Sequence, residues 1–315
     1  MLTAANRREF VRTLLAGAAG LTLAHPIPSR AAFGQGQGRG PAPLTVTKLT
    51  DRLVVVAGAG GNIGVVIGPD GMLMIDGGTA NRAGDVAETI MAVSPRMVQV
   101  LFNTHYHFDH TGSNELLGKS RARIIAHENV RRRLGMTFEN AAFGQRFQAL
   151  PAIAQPTETF TDSGTLAFGR EALEYTHTPL AHTDGDAFVF FPGANVIHTG
   201  DLFWVRRYPV IDYSVGGSLA RMAAVLDQMD RVGDASTRII PGHGAPISTK
   251  AELRQMRDMW LTINQWLEQM AQQGRSVDEV IAAAPTKDFD ATLGVTNPQG
   301  FLRQAYGGVL ARRQA

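Results

Sequence analysis

The chain has 315 residues, is 44% hydrophobic and contains no cysteine. It is long enough to bury a substantial core, and disulfides, thiolate ligands and a thiol nucleophile are excluded. Its formal net charge of +2 rests on the first 31 residues, where Arg7, Arg8, Arg12 and Arg30 outweigh Glu9; without them the balance is about −1, which removes the case for nucleic acid or an anionic membrane as partner.

The chain opens with a basic segment around Arg7-Arg8, an apolar run TLLAGAAGLTL and small residues near Ala31, the pattern of an export signal over 1–31. The arginine pair followed by Phe10 resembles a twin-arginine signal, so the twin-arginine export machinery is an expected partner and the periplasm or exterior an expected destination. The apolar run is too short for a membrane span, which needs roughly 20 residues. GQGQGRGPAP lies in an expected flexible linker, residues 32–43.

From Leu44 the pattern changes. RLVVVAG, GNIGVVIG and GMLMIDGG are short β-type runs separated by glycine-rich turns, which predict a meander. AGDVAETIMAVS predicts a helix stopped by Pro95, MVQVLFN a buried strand, and RIIAH then ENVRRRLGM a strand and a helix. Residues 157–203 read as all-β: TETFT, TLAFG, ALEYTHT, DAFVFFPG and NVIHTG. SLARMAAVLDQMDRV carries apolar residues at helical spacing, STRIIPGHG is a last strand, and Thr249-x-x-Glu252 and Ser276-x-x-Glu279 are capping-box signals for two further helices. The expected division is a catalytic domain over 44–248 and a helical extension packed on it over 249–315.

The residues able to bind metal fall at strand ends. THYHFDHTG places His105, His107, Asp109 and His110 within six positions, in a chain with nine histidines. His182 follows ALEYTHT, Asp201 closes NVIHTG and His243 follows RIIPG. Four strands thus deliver imidazoles and carboxylates from their C-terminal ends, where ligand sites of layered sheet proteins usually lie. At i, i+2 of an extended segment His105 and His107 project to one side and can share an ion, whereas Asp109 and His110, past the bend, can face a second. Imidazole and carboxylate without thiolate suit zinc, iron or manganese. His177 and His198, inside strands, are expected to make core hydrogen bonds, and His127 to pack or to support the ligands.

His105-x-His107-x-Asp109-His110 with His182, Asp201 in HTGD and His243 in PGHG resembles the metallo-β-lactamase superfamily over about 44–248. The resemblance implies an α/β four-layer sandwich, helix–sheet–sheet–helix, with two Zn2+ at one edge and iron or manganese as alternatives. It assigns His105, His107 and His182 to one metal, Asp109, His110 and His243 to the other, Asp201 as the bridge, and Asp76 to a supporting position behind the ligands. It also implies a metal-dependent hydrolase in which a bridging hydroxide, oriented by Asp109, attacks an ester, thioester, lactone or amide of a small-molecule substrate. A β-lactam is a narrower case, opposed by Asp201 in place of a metal-binding cysteine and by Trp204 where many lactamases carry an anion-binding lysine. A non-heme iron sulfur dioxygenase or redox protein on the same scaffold is the alternative. In the loop after Asp201, Trp204, Tyr208 and Tyr213 are expected to wall the substrate cleft and Arg206 or Arg207 to meet an anionic group. Nothing in the sequence sets an oligomeric state.

Overall fold

The computed structural model of the protein describes residues 42–293 and 297–314. The expected signal over 1–31, and all of the expected linker except Ala42 and Pro43, lie outside the described residues.

The first half builds one sheet. Strands β1 (Thr45–Lys48), β2 (Leu53–Ala57), β3 (Ile63–Ile67) and β4 (Met72–Ile75) form the antiparallel meander. Helix α1 (Ala83–Val93) then crosses over to β5 (Val98–Phe102), which pairs parallel with β4. Two short helices, α2 (Phe108–Thr111) and α3 (Asn114–Lys119), lead to β6 (Arg123–His127), followed by α4 (Glu128–Leu134). A small separate hairpin, β7 (Phe138–Asn140) and β8 (Gln145–Phe147), precedes β9 (Glu158–Phe160), which completes a seven-stranded sheet in the order β1-β2-β3-β4-β5-β6-β9. That hairpin has no counterpart among the sequence expectations: its strands are three residues long and lack the apolar alternation that would announce them.

The second sheet takes β10 (Gly164–Phe168), β11 (Glu171–His177), β12 (Ala187–Phe191) and β13 (Val196–His198) as antiparallel neighbours. After α5 (Leu219–Asp230), β14 (Arg238–Ile240) joins parallel to β13, with β15 (Ser248–Thr249) at the edge. Helices α6 (Lys250–Gln272), α7 (Val277–Ala283), α8 (Lys287–Asp290) and α9 (Pro298–Gln314) complete the chain. None of the described helices is long and apolar enough to cross a membrane.

Side chains alternate across a strand, and that alternation sorts the core into layers. Val55, Val66, Leu73, Ile75, Val100 and Phe102 of the first sheet meet Phe168, Leu173, Val189, Phe191, Val196 and Ile240 of the second. Their neighbours in sequence, among them Val54, Val56, Met72, Met74 and Leu101, face outward onto Val86 and Ile90 of α1 and Leu117 of α3. On the far side Phe188, Ile197 and Ile239 pack under α5, α6 and α9, with Trp260 fully buried. The result is the expected helix–sheet–sheet–helix sandwich. The helices beyond Thr249 share one core with β12–β14 and α5.

The two capping signals turn out differently. Ser276 and Glu279 form a complete reciprocal box at the head of α7. At α6 only half forms: Thr249 Oγ1 accepts from the Glu252 backbone N–H, but the Glu252 carboxylate turns to the Ser248 hydroxyl and the Arg206 guanidinium. Neighbours from other elements outcompete the local partner there.

Candidate metal centre

The C-terminal ends of β5, β13 and β14, together with the loop after β11, meet at one rim. After β5 the chain bends at Thr104 and His105, His107 is extended, and α2 then turns Asp109 and His110 sideways. His182 follows β11, Asp201 lies in the short helical turn after β13, and His243 follows β14. Glycine makes the convergence sterically possible at two points. Gly200 has φ +51° and lies where a Cβ would sit 2.5 Å from Thr104 Oγ1; at Gly242 a Cβ would sit 2.1 Å from Asp201 Oδ1.

The seven ligand-type side chains separate into two groups. In the first, His105, His107, His182 and Asp201 each offer one atom and all four lie within 4.8 Å of one another; Asp109, His110 and His243 form the second on the same criterion. Asp201 joins them. Its Oδ2 lies 3.8 Å from His105 Nε2 and 3.5 Å from His182 Nε2, while its Oδ1 lies 3.0 Å from His110 Nε2 and 3.3 Å from His243 Nε2. His110 Nε2 and His243 Nε2 are 3.4 Å apart. Nitrogen ligands on one tetrahedral zinc, at about 2.0–2.1 Å from it, are about 3.3 Å apart, so these separations fit side chains aimed at a shared ion. His105 Nε2 is buried with no hydrogen-bond partner, a costly state for a polar atom unless something coordinates it.

What stands behind each ring decides which nitrogen faces inward. His107 Nε2 lies 3.2 Å from the Asp212 carboxylate, leaving Nδ1 to face His182 Nε2 at 2.9 Å. His182 Nδ1 donates to the Val210 carbonyl at 2.8 Å. His105 Nδ1 meets the Thr104 hydroxyl at 3.0 Å, and that hydroxyl donates to Asp76 Oδ2 at 2.8 Å. Asp76 Oδ2 also takes His110 Nδ1 at 2.8 Å. Carboxylate and carbonyl acceptors fix the imidazole tautomer and its orientation. Asp76 holds φ +64°, a left-handed conformation costing an ordinary residue on the order of 1 kcal/mol, and its backbone N–H is tied to the Phe102 carbonyl. His243 differs. Its ring lies against Trp204, centroids 4.1 Å apart.

The charge balance also separates the groups. Burial, with the neighbouring His110, drives His105 well below its usual range, and burial with His107 brings His182 down to about 4; both are neutral imidazoles, the form that binds metal. For His110 and His243 burial opposes the proton but Asp201, with Asp76 and Asp109, overcomes it: His110 rises well above its ordinary value and His243 to about 9. Asp109 moves the other way: despite burial, His110 and His243 bring it to about 2, and Asp201 is likewise held well below its usual range by His243 and His110. The carboxylates recruit protons because they face a concentration of negative charge, which a divalent cation would neutralise while leaving both imidazoles uncharged.

Asp212 is the residue that sequence reasoning missed. It is fully buried and gathers the Tyr106 hydroxyl, His107 Nε2, the Asn140 amide and the Ser214 hydroxyl. It sits in an irregular loop, and its only visible signal is an acidic residue among YPVIDYS. The other residues of that loop are distributed as follows. Trp204 is buried against His243; Tyr213 is half-buried, with its hydroxyl on the Ala141 carbonyl. Tyr208 and Arg206 lie elsewhere than a cleft wall would need. The Tyr208 hydroxyl donates to Asp290 and its ring stacks on Phe301, because the C-terminal helices cover it. Arg206 is exposed and paired with Glu252. His177 and His198 make the expected hydrogen bonds, to the Asp186 and Asn62 carbonyls, and His127 caps α4 while stacking on His177 at 3.7 Å.

A family model described as "Metallo-beta-lactamase superfamily" matches residues 56–259. Among solved structures, the chain is similar to the stereoselective inverting sec-alkylsulfatase Pisa1 from Pseudomonas sp. (TM-score 0.62, 15% identity) and to a double mutant of the sec-alkyl sulfatase PisA1 (0.64, 16%), in each case over 84% of this chain and 50% of the other. It spans about half the length of those two proteins. It is also similar to a metallo-beta-lactamase from Pontibacter korlensis, with a TM-score of 0.55 and 18% identity over 69% of this chain and 99% of that one. No curated protein sequence matches the chain.

Proposed function

Because this chain belongs to the metallo-beta-lactamase superfamily, we propose that it is an exported hydrolase with two zinc ions, cleaving an ester, thioester, lactone or amide bond. The observation that carries this reading is Asp201, whose two carboxylate oxygens face different histidine groups. Two complete donor sets joined by one carboxylate call for two ions, whereas a lone iron needs only two histidines and a carboxylate with open positions.

When bound, such a pair of ions acidifies a water toward neutral pKa and polarises the bond to be attacked. The chain's own residues do the rest. Asp201 spaces the two groups. Asp212, Val210, Thr104 and Asp76 hold the imidazoles in the required tautomers. Asp109, at a pKa of about 2, is ionised at neutral pH, and its side chain is 19% exposed where Asp201 is 3% exposed. It can therefore orient an attacking water. No serine nucleophile is required.

Hydrolysis of sulfate esters or β-lactams comes under test through the likeness to those structures, which at 15–18% identity concerns the fold alone. Export rests on the first 31 residues; replacing Arg7 and Arg8 with lysine should strand the precursor in the cytoplasm. The deciding experiment is metal quantification on the purified chain, joined to a panel of thioesters, lactones, carboxylic esters, nitrocefin and alkyl sulfates. Close to two zinc ions with turnover of one carbonyl class supports the reading; a single iron per chain overturns it.

A further inference from the structure

The β7–β8 hairpin lies against the metal centre, and three observations give it a role there. First, it is fastened to the support of a ligand: Asn140 Nδ2 donates to Asp212 Oδ2 at 2.7 Å and to the Tyr106 hydroxyl at 3.0 Å, and the same carboxylate holds His107. Second, its tip turns an aromatic edge to that ligand: Phe143 stands perpendicular to the His107 ring at 5.0 Å, with Phe147 beside it at 5.8 Å. Both phenylalanines are only partly buried. Third, the C-terminal helix holds the tip. Gln304 of α9 donates from Nε2 to the Ala142 carbonyl at 2.9 Å, and its Oε1 accepts from the Ile211 N–H at 3.4 Å, between Val210 and Asp212. Tyr213 adds a bond from its hydroxyl to the Ala141 carbonyl. One amide therefore bridges the hairpin to the loop that orients His107 and His182.

Charge narrows what such a wall can receive. The hairpin's own ion pair, Glu139 with Arg146, lies on the opposite face of the ladder from Phe138, Asn140 and Phe147, and is exposed. Among the described residues, every ion-pair partner within 4.0 Å of Asp76, Asp109, Asp201 and Asp212 is an imidazole. Outside the hairpin, Arg132 and Arg133 pair with Asp184, and the Arg133 guanidinium also covers the Phe138 ring, 5.5 Å from its centroid.

Resting on the hydrolase reading above, we propose that this hairpin is the substrate-recognition wall of the site: Phe143, backed by Phe147, receives an uncharged aryl or alkyl group beside the scissile bond, and Gln304 positions the wall. The preferred substrates are then neutral carbonyl compounds with an apolar substituent rather than substrates carrying a carboxylate or sulfate at that place.

Binding of metal-chelating hydroxamates to the zinc-loaded full chain, followed by calorimetry, tests this without requiring turnover. The wild-type protein should prefer phenylacetohydroxamate to acetohydroxamate by about ten-fold or more, the range expected for extra apolar groups in a pocket. Phe143→Ala and Gln304→Ala should each shrink that ratio to about three-fold or less, Phe143→Leu should restore most of it, and a 4-carboxy group on the aryl tail should weaken wild-type binding. Equal affinity of the wild type for both hydroxamates, a ratio unchanged in Phe143→Ala, or tighter binding of the carboxylated tail would overturn the proposal. If the wild type binds neither hydroxamate, the metal-centre reading itself falls, and this inference falls with it.

Discussion

The two halves of the metal centre are built on different plans. His105, His107 and His182 are almost wholly buried, and each ring is held from behind by an oxygen, from Thr104, Asp212 and Val210 respectively. In the second half His110 is equally buried and is backed by Asp76, but Asp109 and His243 are partly exposed, and His243 leans on the indole of Trp204 instead of on an acceptor. Backing by oxygen acceptors sets a ring's orientation and basicity, while stacking only limits its tilt. The first half is therefore a preorganised cage, whereas the second joins one fixed ring, His110, to an adjustable face toward solvent at Asp109 and His243.

This contrast can be broken most decisively at the residue common to both halves. Asp201→Ala should remove both ions and essentially all hydrolysis; a variant retaining one tightly held ion and measurable turnover would show that the halves are independent. Next in size, Asp109→Asn should lower turnover by about 10²-fold, the usual cost of misplacing a reacting group, with the first ion retained on metal analysis. Turnover at the wild-type level would strip Asp109 of its role. Asp212→Asn acts on the buried half alone and should weaken the first ion by about 10–100-fold. Asp76→Asn should weaken both, because it reaches His110 directly and His105 through Thr104.

Protons sharpen the same contrast. In the metal-free protein His182 titrates at about 4 and His105 lies well below its ordinary value, so above pH 6 neither ring has a proton to shed. His243 titrates at about 9 and His110 is likewise raised, so at pH 7 the open half must release protons to bind an ion. Zinc titrations in buffers of different ionisation enthalpy should show greater proton release for the second ion than for the first, with the affinity of the second rising with pH up to about 9. Equal release in both steps would contradict the assignment. The smallest effect belongs to Arg206→Ala: its exposed pairing with Glu252 should contribute about 0–1 kcal/mol to stability, and a large loss of turnover would return that arginine to the substrate cleft.

Much of this was legible in the chain itself, for reasons of local geometry. A strand alternates its faces, so the runs of β2, β4 and β5 announce a sheet covered on both sides. The capping signal at Ser276 was equally self-contained, since its partner is three residues away. The signal at Thr249 was only half met because Ser248 and Arg206 compete for the Glu252 carboxylate, a competition no short window of sequence reveals. Tyr208 shows the same limit: an aromatic in a polar loop after a metal ligand suggests a cleft wall, and only Phe301 and Asp290, about ninety residues downstream, turn it into the helical core.

Residue type and periods of two and 3.6 alone placed imidazoles and carboxylates at strand ends and excluded thiol chemistry, while the layered fold and the assignment of those residues to metals came from the resemblance of their motifs to a known family. Tertiary structure decided what supports the ligands. Asp212 lies 105 positions from His107, the hairpin reaches that pair through Asn140, and α9 closes on both through Gln304. Those meetings depend on how sheets and helices pack over long separations in the chain, where side-chain identity permits a contact but only the folded geometry makes it.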